Sequence, residues 1–257
     1  MGKMILIEFR KMRHYPLIWG ILLFALGESV YYAYDRSLDD FFLYNPGLEY
    51  IILLCRTARS SVILTTLTAA YVSSEDFSMR TVQNVFAVGV DRGRYFFARL
   101  SSLVLFTVAL TGARYFVYIA ARILFNGKAE TVLSAGEFLA AFAVMTLQLA
   151  ACAAVIGVVS MLFKSQAAAV MTGEIWLFLS LALRLYMGID LSSENPTASF
   201  GPLAYEPMTV LERAAADFLV PGRIYSLDFL RCGMAALLLI FVSAAAGYGY
   251  LRRAEIQ

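Results

Sequence analysis

The chain alternates between long apolar runs and short polar connections. Six runs approach the ~20 apolar residues that a helix needs to cross a bilayer core about 30 Å thick. They cover residues 16–34, 50–72, 99–124, 137–162, 166–188 and 232–251. The pattern predicts an all-α polytopic membrane protein of six transmembrane helices, with residues 1–257 forming a single transmembrane domain.

A shorter amphipathic segment precedes the first span. Residues 3–13 repeat apolar positions at helical spacing, and their basic residues lie mostly on the other sides. One helical side carries Met4, Ile5, Glu8, Phe9 and Met12. The pattern predicts an interfacial helix whose apolar side contacts the acyl boundary and whose Lys and Arg side chains reach the headgroups.

Two connections are long enough to contain helices of their own. Residues 73–98 form a charged, partly amphipathic connection between spans two and three. Residues 189–230 join spans five and six and include Thr209-Val210-Leu211-Glu212. This capping box predicts the start of a short outer helix between those spans.

Composition supports the membrane assignment. Hydrophobic residues make up 60% and charged residues 16% of the chain, against about 45–50% and about 25% in a typical soluble domain. An ordinary soluble fold of this size is therefore excluded, and the bilayer is an expected partner.

The residue types that many active sites need are scarce. There is one histidine, His14, and the three cysteines have no CxxC spacing, so we expect no metal site and no catalytic residues. The Gly127-Lys128 pair is followed by alanine and does not complete a phosphate-binding P-loop. We expect no cofactor on this chain, and no basic-plus-aromatic surface indicates nucleic acid.

The distribution of Lys and Arg predicts the orientation, because cytoplasmic loops carry the excess of positive charge. With the N-terminus in the cytoplasm, eleven basic residues fall inside and five outside. The inner set is Lys3, Arg10, Lys11, Arg13, Arg80, Arg92, Arg94, Arg99, Lys164, Arg252 and Arg253; the outer set is Arg36, Lys128, Arg213, Arg223 and Arg231. An even number of spans then places both termini in the cytoplasm.

The connection between spans two and three has the clearest functional pattern. Glu75 and Asp76 carry the negative charge that is favoured at a helix start, and Gly89 suits a helix end. The residues between them recur at intervals of three and four, the spacing of one helical side: Phe77, Arg80, Thr81, Asn84, Val85 and Val88. Such a helix on the cytoplasmic side could dock into a groove of a soluble partner, or it could lie among the inner headgroups.

This segment resembles the cytoplasmic connection of ABC-2 type permeases, the membrane subunits of many bacterial ABC exporters. The positions that match the family pattern are Glu75, Thr81, Gly89, Arg92, Tyr95 and Arg99. Two positions depart from it: Arg80 replaces the usual small residue, and Arg99 stands where Lys is frequent. The interfacial helix, the six spans and the long outer connection before the last span extend the resemblance along the chain.

The resemblance implies a mechanism and partners. Such permeases pair as homo- or heterodimers in the bacterial cytoplasmic membrane, and each binds a cytosolic ATPase through a coupling helix. ATP and Mg²⁺ would then be bound by the ATPase subunits, and the cargo would be a peptide, a drug-like amphiphile or a lipid-linked molecule. The implied docking residues are Glu75, Phe77, Arg80, Thr81, Val82, Val85, Phe86 and Arg92.

Several charged residues lie within the apolar runs, where each costs roughly 2.5–3.5 kcal/mol at mid-bilayer and should face protein or water. The candidates for a cavity or an intramembrane ion pair are Glu28, Arg56, Arg59, Arg114 and Glu174. Comparable depth predicts an ion pair between Glu28 and Arg56 or Arg59. That pair could hold the bundle together or contact substrate, and Glu174 is a candidate for a cavity role.

Two other functions remain open on the sequence. An intramembrane enzyme acting on lipid or peptide is disfavoured by the lack of a His, paired-Asp or Ser/Lys arrangement at suitable depth. A membrane scaffold or sensor component without a transport cycle is the other alternative.

Overall fold

The computed structural model describes residues 2–37, 60–75, 85–126, 135–163, 165–186, 207, 210 and 229–253. Within these ranges the chain is helical and contains no strand. The helices are α1 (Gly2–Met12), α2 (Pro16–Ser37), α3 (60–75), α4 (Arg92–Asn126), α5 (Ala135–Phe163), α6 (Gln166–Tyr186) and α7 (Phe229–Arg253). The all-α prediction agrees with this described part.

Four of these helices are long and apolar enough to cross a membrane: Pro16–Asp35, Arg92–Phe125, Phe142–Phe163 and Leu230–Arg253. They coincide with predicted spans one, three, four and six. The regions of predicted spans two and five are also helical in the described residues, as α3 and α6. The outer connection lies outside the described residues apart from Pro207 and Val210, so the outer helix there stays a prediction.

A short turn separates α1 from α2. Pro16 is the first residue of α2, a position that proline favours because its missing N–H would have no helical acceptor there. The turn is closed by backbone hydrogen bonds from Tyr15 to Met12 and from Ile18 to Tyr15, both 3.1 Å long. Only three residues therefore separate the end of α1 from the start of α2.

The structure corrects the expected environment of α1. Glu8 and Met12, on the side predicted to contact acyl chains, are buried against the protein, while Leu6 and Ile7 are exposed. Met12 and Phe9 pack with Ile18 and Leu64 in one apolar cluster. The amphipathic pattern identified a helix with two sides, but it could not distinguish lipid from protein as the cover of the apolar side.

Helix α4 is the element around which the bundle is organised, because it contacts α1, α2, α5 and α7. Helix α5 is deeply enclosed, and small residues make that possible: Ala150, Ala151, Cys152, Ala153 and Ala154 are all buried. The same helix packs against α3, where Ala153 and Ile156 join Ala69 and Ala70 in a cluster. Small residues at such contacts let membrane helices approach closely.

Glycine sets the closest approach between α7 and its neighbours. A Cβ atom built on Gly247 would lie 2.7 Å from the ring of Phe96 on α4 and 3.0 Å from Val158 on α5. No larger residue fits there without displacement. Gly249, two residues further along α7, has nothing within 4 Å and faces open space.

Candidate functional site

The connection that enters α4 has the local structure of a capped turn. Gly89 adopts φ of 86°, a conformation that L side chains rarely take, and its N–H donates to the carbonyl of Phe86 at 2.9 Å. Asp91 then caps α4, accepting the backbone N–H of Arg94 at 3.0 Å through its carboxylate. The predicted helix end at Gly89 agrees with this geometry, and α4 begins at Arg92, before the start of the predicted span at residue 99.

Only part of the predicted docking segment is described. Residues 76–84, which include Phe77, Arg80, Thr81 and Val82, lie outside the described residues. Residues 85–87 form one helical turn before Gly89. The docking predictions for the first group therefore stay predictions.

Two predicted docking residues, Val85 and Phe86, are partly buried against the bundle. The ring of Phe86 meets the ring of Tyr95 edge to face at 5.5 Å between centroids, and the guanidinium of Arg92 lies 5.7 Å from the Phe86 centroid. Val88, by contrast, is 84% exposed. The aromatic contact and the cation–π contact hold this turn onto α4 and leave Val88 as its outward apolar side chain.

Glu75 is the last described residue of α3. The sequence-based interpretation placed it at a helix start, where a carboxylate is favoured. In the structure it lies in the final described turn of a helix that is already formed at residue 60. That part of the interpretation was wrong, because the acidic pair Glu75-Asp76 resembles an N-terminal signal while the apolar run before it continues the helix.

A buried ionic junction joins α1, α3 and α4 at the end of the bundle where this connection attaches. Arg99 of α4 is 1% exposed; it donates one hydrogen bond to the Oε2 atom of Glu8 and another to the backbone carbonyl of Val72. The Oε1 atom of Glu8 accepts from Lys11 at 3.1 Å. A single arginine thus binds two other helices, and we call this cluster the Arg99 junction.

The sequence analysis did not identify the Arg99 junction. Arg99 was noted as a position matching the family pattern, and Glu8 as a member of the apolar side of α1. Glu8 could have indicated the junction, because it is a carboxylate on an otherwise apolar helix side and a buried charge requires a partner. The identity of that partner, 91 positions away along the chain, could not be deduced from spacing.

A second polar cluster surrounds Arg114, further along α4. Its guanidinium donates to Glu28 of α2 at 2.5 Å, to Ser61 at 2.5 Å and to Ser60 at 3.0 Å, both serines lying on α3. Arg114 is buried, while the side chain of Glu28 retains 15% exposure. We call this the Arg114 cluster.

The structure therefore gives Glu28 an ion-pair partner, Arg114, that the sequence analysis had treated separately. The partners predicted for Glu28, Arg56 and Arg59, lie outside the described residues, so pairing with them stays a prediction. Glu174 lies on α6, which is not one of the three helices of the Arg114 cluster, and its side chain is partly exposed.

A buried polar contact joins helices α5 and α7. The side chain of Gln148 is fully buried, and its Nε2 atom donates to the carbonyl of Cys232 at 2.9 Å. Cys152 and Cys232 are both buried and are not joined in a disulfide. Across the ranges that the structure describes, no group of three His, Cys, Asp or Glu side chains could hold a metal ion.

Comparison with known proteins identifies the family. A protein-family model, which carries the description "ABC-2 family transporter protein", matches residues 4–180 of the chain. This range covers most of the 257 residues and includes both the Arg99 junction and the Arg114 cluster. No curated protein is similar enough in sequence to count as a match.

Membership in this family indicates which type of subunit the chain forms. Proteins of this family are typically non-catalytic membrane subunits that associate with ABC ATPases. The several apolar helices agree with that architecture. The chain therefore belongs to the ABC-2 family of transporter proteins and is a multi-pass membrane permease of an ABC transporter.

Proposed function

We propose that this chain is the membrane subunit of an ABC exporter in the bacterial cytoplasmic membrane, with six spans in one domain and both termini in the cytoplasm. Separate cytosolic ATPase subunits bind ATP and Mg²⁺, and closure of those subunits drives the permease. The family match over residues 4–180 is the observation that carries this proposal.

The proposed docking element is the segment between α3 and α4. Two of its residues, Val85 and Phe86, pack back onto the bundle, which gives the segment a rigid base. Val88 is an exposed apolar side chain four positions before the charged Arg92. An apolar side chain on a firmly held turn, flanked by charge, suits a groove on a soluble partner. Phe77, Arg80, Thr81 and Val82, together with Glu75, complete the proposed docking surface.

We further propose that the chain functions as a homo- or heterodimer and exports a peptide, a drug-like amphiphile or a lipid-linked molecule. The Arg114 cluster is a candidate cavity wall, because Glu28 keeps partial exposure beside a buried arginine. Arg56, Arg59 and Glu174 are the other charged residues proposed to face protein or water.

A charge at Val88 tests the docking proposal. Placing a carboxylate in an apolar interface leaves it desolvated, so Val88→Asp should lower the amount of ATPase that co-purifies with the chain by about tenfold or more, a cost of at least about 1.4 kcal/mol. The measurement is ATP hydrolysis and ATPase protein recovered with the tagged chain from its own host's membranes.

Val88→Thr is the matched control, because threonine keeps the β-branched shape without adding charge. It should retain most of the bound ATPase, and both variants should reach the membrane fraction in equal amounts. Unchanged ATPase recovery with Val88→Asp would contradict docking at this turn.

A further inference from the structure

The Arg99 junction lies at both ends of the proposed docking segment. The segment leaves α3 after residue 75 and re-enters the bundle at Arg92, the first residue of α4. Arg99 is on the second turn of α4, and its guanidinium binds the carbonyl of Val72 in the last described turn of α3. One side chain therefore fixes the helix that enters the segment relative to the helix that leaves it.

The same side chain also binds α1. Glu8 accepts from Arg99 and is itself buried, so the two charges compensate each other away from water. The second carboxylate oxygen of Glu8 is bound by Lys11 on the same helix. Separating Glu8 from Arg99 would leave a buried charge without its partner, which is strongly unfavourable. The ion pair therefore resists any motion of α1 relative to α4.

Apolar packing around the junction connects the same elements independently. Met4 of α1 and the pair Val85 and Phe86 of the segment all pack against one cluster. The buried members of that cluster are Tyr95, Phe96, Leu100, Ala154, Val158, Met161 and Leu251. Helix α1 and the described end of the docking segment thus pack on one apolar base, formed by residues of α4, α5 and α7.

We propose that Arg99 is a positioning residue that makes α1 and the docking segment move as one body. Since α1 passes into α2 through the short turn at Pro16, displacement of the segment would be delivered through Arg99 and Glu8 to the first span. The joint movement of the segment and α1 is a property of this chain alone. Its use in a transport cycle rests on the proposed function.

The proposed joint movement can be tested by measuring the distance between α1 and the docking segment in the purified chain in lipid nanodiscs. Spin labels would be attached at Leu6→Cys on α1 and Val88→Cys on the segment, both exposed positions, after the three native cysteines are replaced by alanine. Double electron–electron resonance should give one narrow distance distribution. In Glu8→Gln, which keeps the side-chain shape but removes the charge, and in Arg99→Lys, whose single ammonium cannot replace the guanidinium fork, the width should at least roughly double.

Arg10→Gln is the matched control, because Arg10 is an exposed cation two positions from Glu8 on the same helix. It should leave the distribution as narrow as in the starting chain. Equal widths in the starting chain, Glu8→Gln and Arg99→Lys would overturn the proposal. This arm needs no ATPase, so its result does not depend on the proposed function.

A second arm adds the ATPase that co-purifies with the chain, with ATP plus vanadate or with ADP. In these samples Val88 stays unlabelled, because it belongs to the proposed docking surface, and the labels are attached at Leu6→Cys and Leu230→Cys on α7, both exposed. The distance between them should change between the two nucleotide states. In folded Glu8→Gln protein that change should be lost, a result that mere stabilisation of the fold would not produce. An equal change in Glu8→Gln and in the starting chain would refute joint motion, whereas failure to recover any ATPase would count against the proposed function, and the ATPase-free distances would still decide whether Arg99 holds α1 and the segment together.

Discussion

Arg99 and Arg114 lie on the same helix and follow the same scheme, yet their surroundings differ. Each arginine of α4 binds a glutamate from a helix near the N-terminus and an oxygen acceptor from α3. They are separated by about 22 Å along the helix axis, and because fifteen residues make close to four turns they project from similar sides. Helix α4 is thereby joined to α3 at two levels, and to α1 at one level and α2 at the other.

The acceptors on α3 account for the difference. At the Arg99 junction the acceptor is a backbone carbonyl, which cannot rotate away, and the glutamate is nearly inaccessible. At the Arg114 cluster the acceptors are two serine hydroxyls, which can rotate, and Glu28 is partly exposed. The Arg99 junction therefore suits a rigid contact between helices, which we call a fixed joint. The Arg114 cluster suits a polar site whose hydrogen-bond partners can change.

The largest effect that would test this comparison is expected at Arg99. We predict that Arg99→Met lowers the free energy of unfolding by about 3–5 kcal/mol, because Glu8 and the Val72 carbonyl lose their buried partner. Unfolding of the purified chain by sodium dodecyl sulfate in bicelles measures this. Arg94→Met, an exposed position on the same helix, is the control and should change little. A loss no greater than in the control would show that the junction is not the fixed joint.

A smaller effect is expected at Arg114. We predict that Arg114→Met costs about 1.5–3 kcal/mol, the range for hydrogen bonds to a charged group, because the serine hydroxyls can turn to other acceptors and Glu28 can reach water. The same unfolding assay applies. Glu28→Gln in the Arg114→Met background should recover part of the loss, since the uncompensated charge is then removed. If Arg114→Met proves as costly as Arg99→Met, the contrast between the two clusters is wrong.

The smallest effect concerns the apolar packing beside the Arg99 junction. We predict that Gly247→Ala costs about 1 kcal/mol, at the low end of the range for overpacking, because its methyl group would press on the buried ring of Phe96. Gly249→Ala, which meets open space on the same helix, should be neutral or slightly stabilising. Comparing the two melting temperatures isolates the contact. Equal values would mean that this packing adds no rigidity to the junction.

The predictability of the site differed from residue to residue. Gly89 and Asp91 have local roles, in a positive-φ turn and a helix cap, so their roles follow from the residues around them. Glu28 was expected to have an intramembrane partner because a charge in an apolar run needs one. The choice of Arg114 depended on the rotation of α2, α3 and α4 about their axes, and depth along each span does not contain that information.

The burial of Val85 and Phe86 illustrates the same limit. Both were predicted to face a partner, since an apolar side of a short helix must be covered by something. The structure packs them partly against a cluster formed by residues of α4, α5 and α7, while Val88 remains exposed. Periodicity shows which residues share a helical side, and only the packed bundle shows which side another part of the chain has covered.

By itself the sequence determined that this protein is helical and membrane-embedded, because apolar length and backbone hydrogen bonding in lipid leave few alternatives. It also determined the helix end at Gly89, since glycine acts within a few residues of its own position. The tertiary structure alone decided that Glu8 meets Arg99 and that Glu28 meets Arg114. Each buried charge demands an opposite partner, and which one it receives depends on how the helices are placed in space.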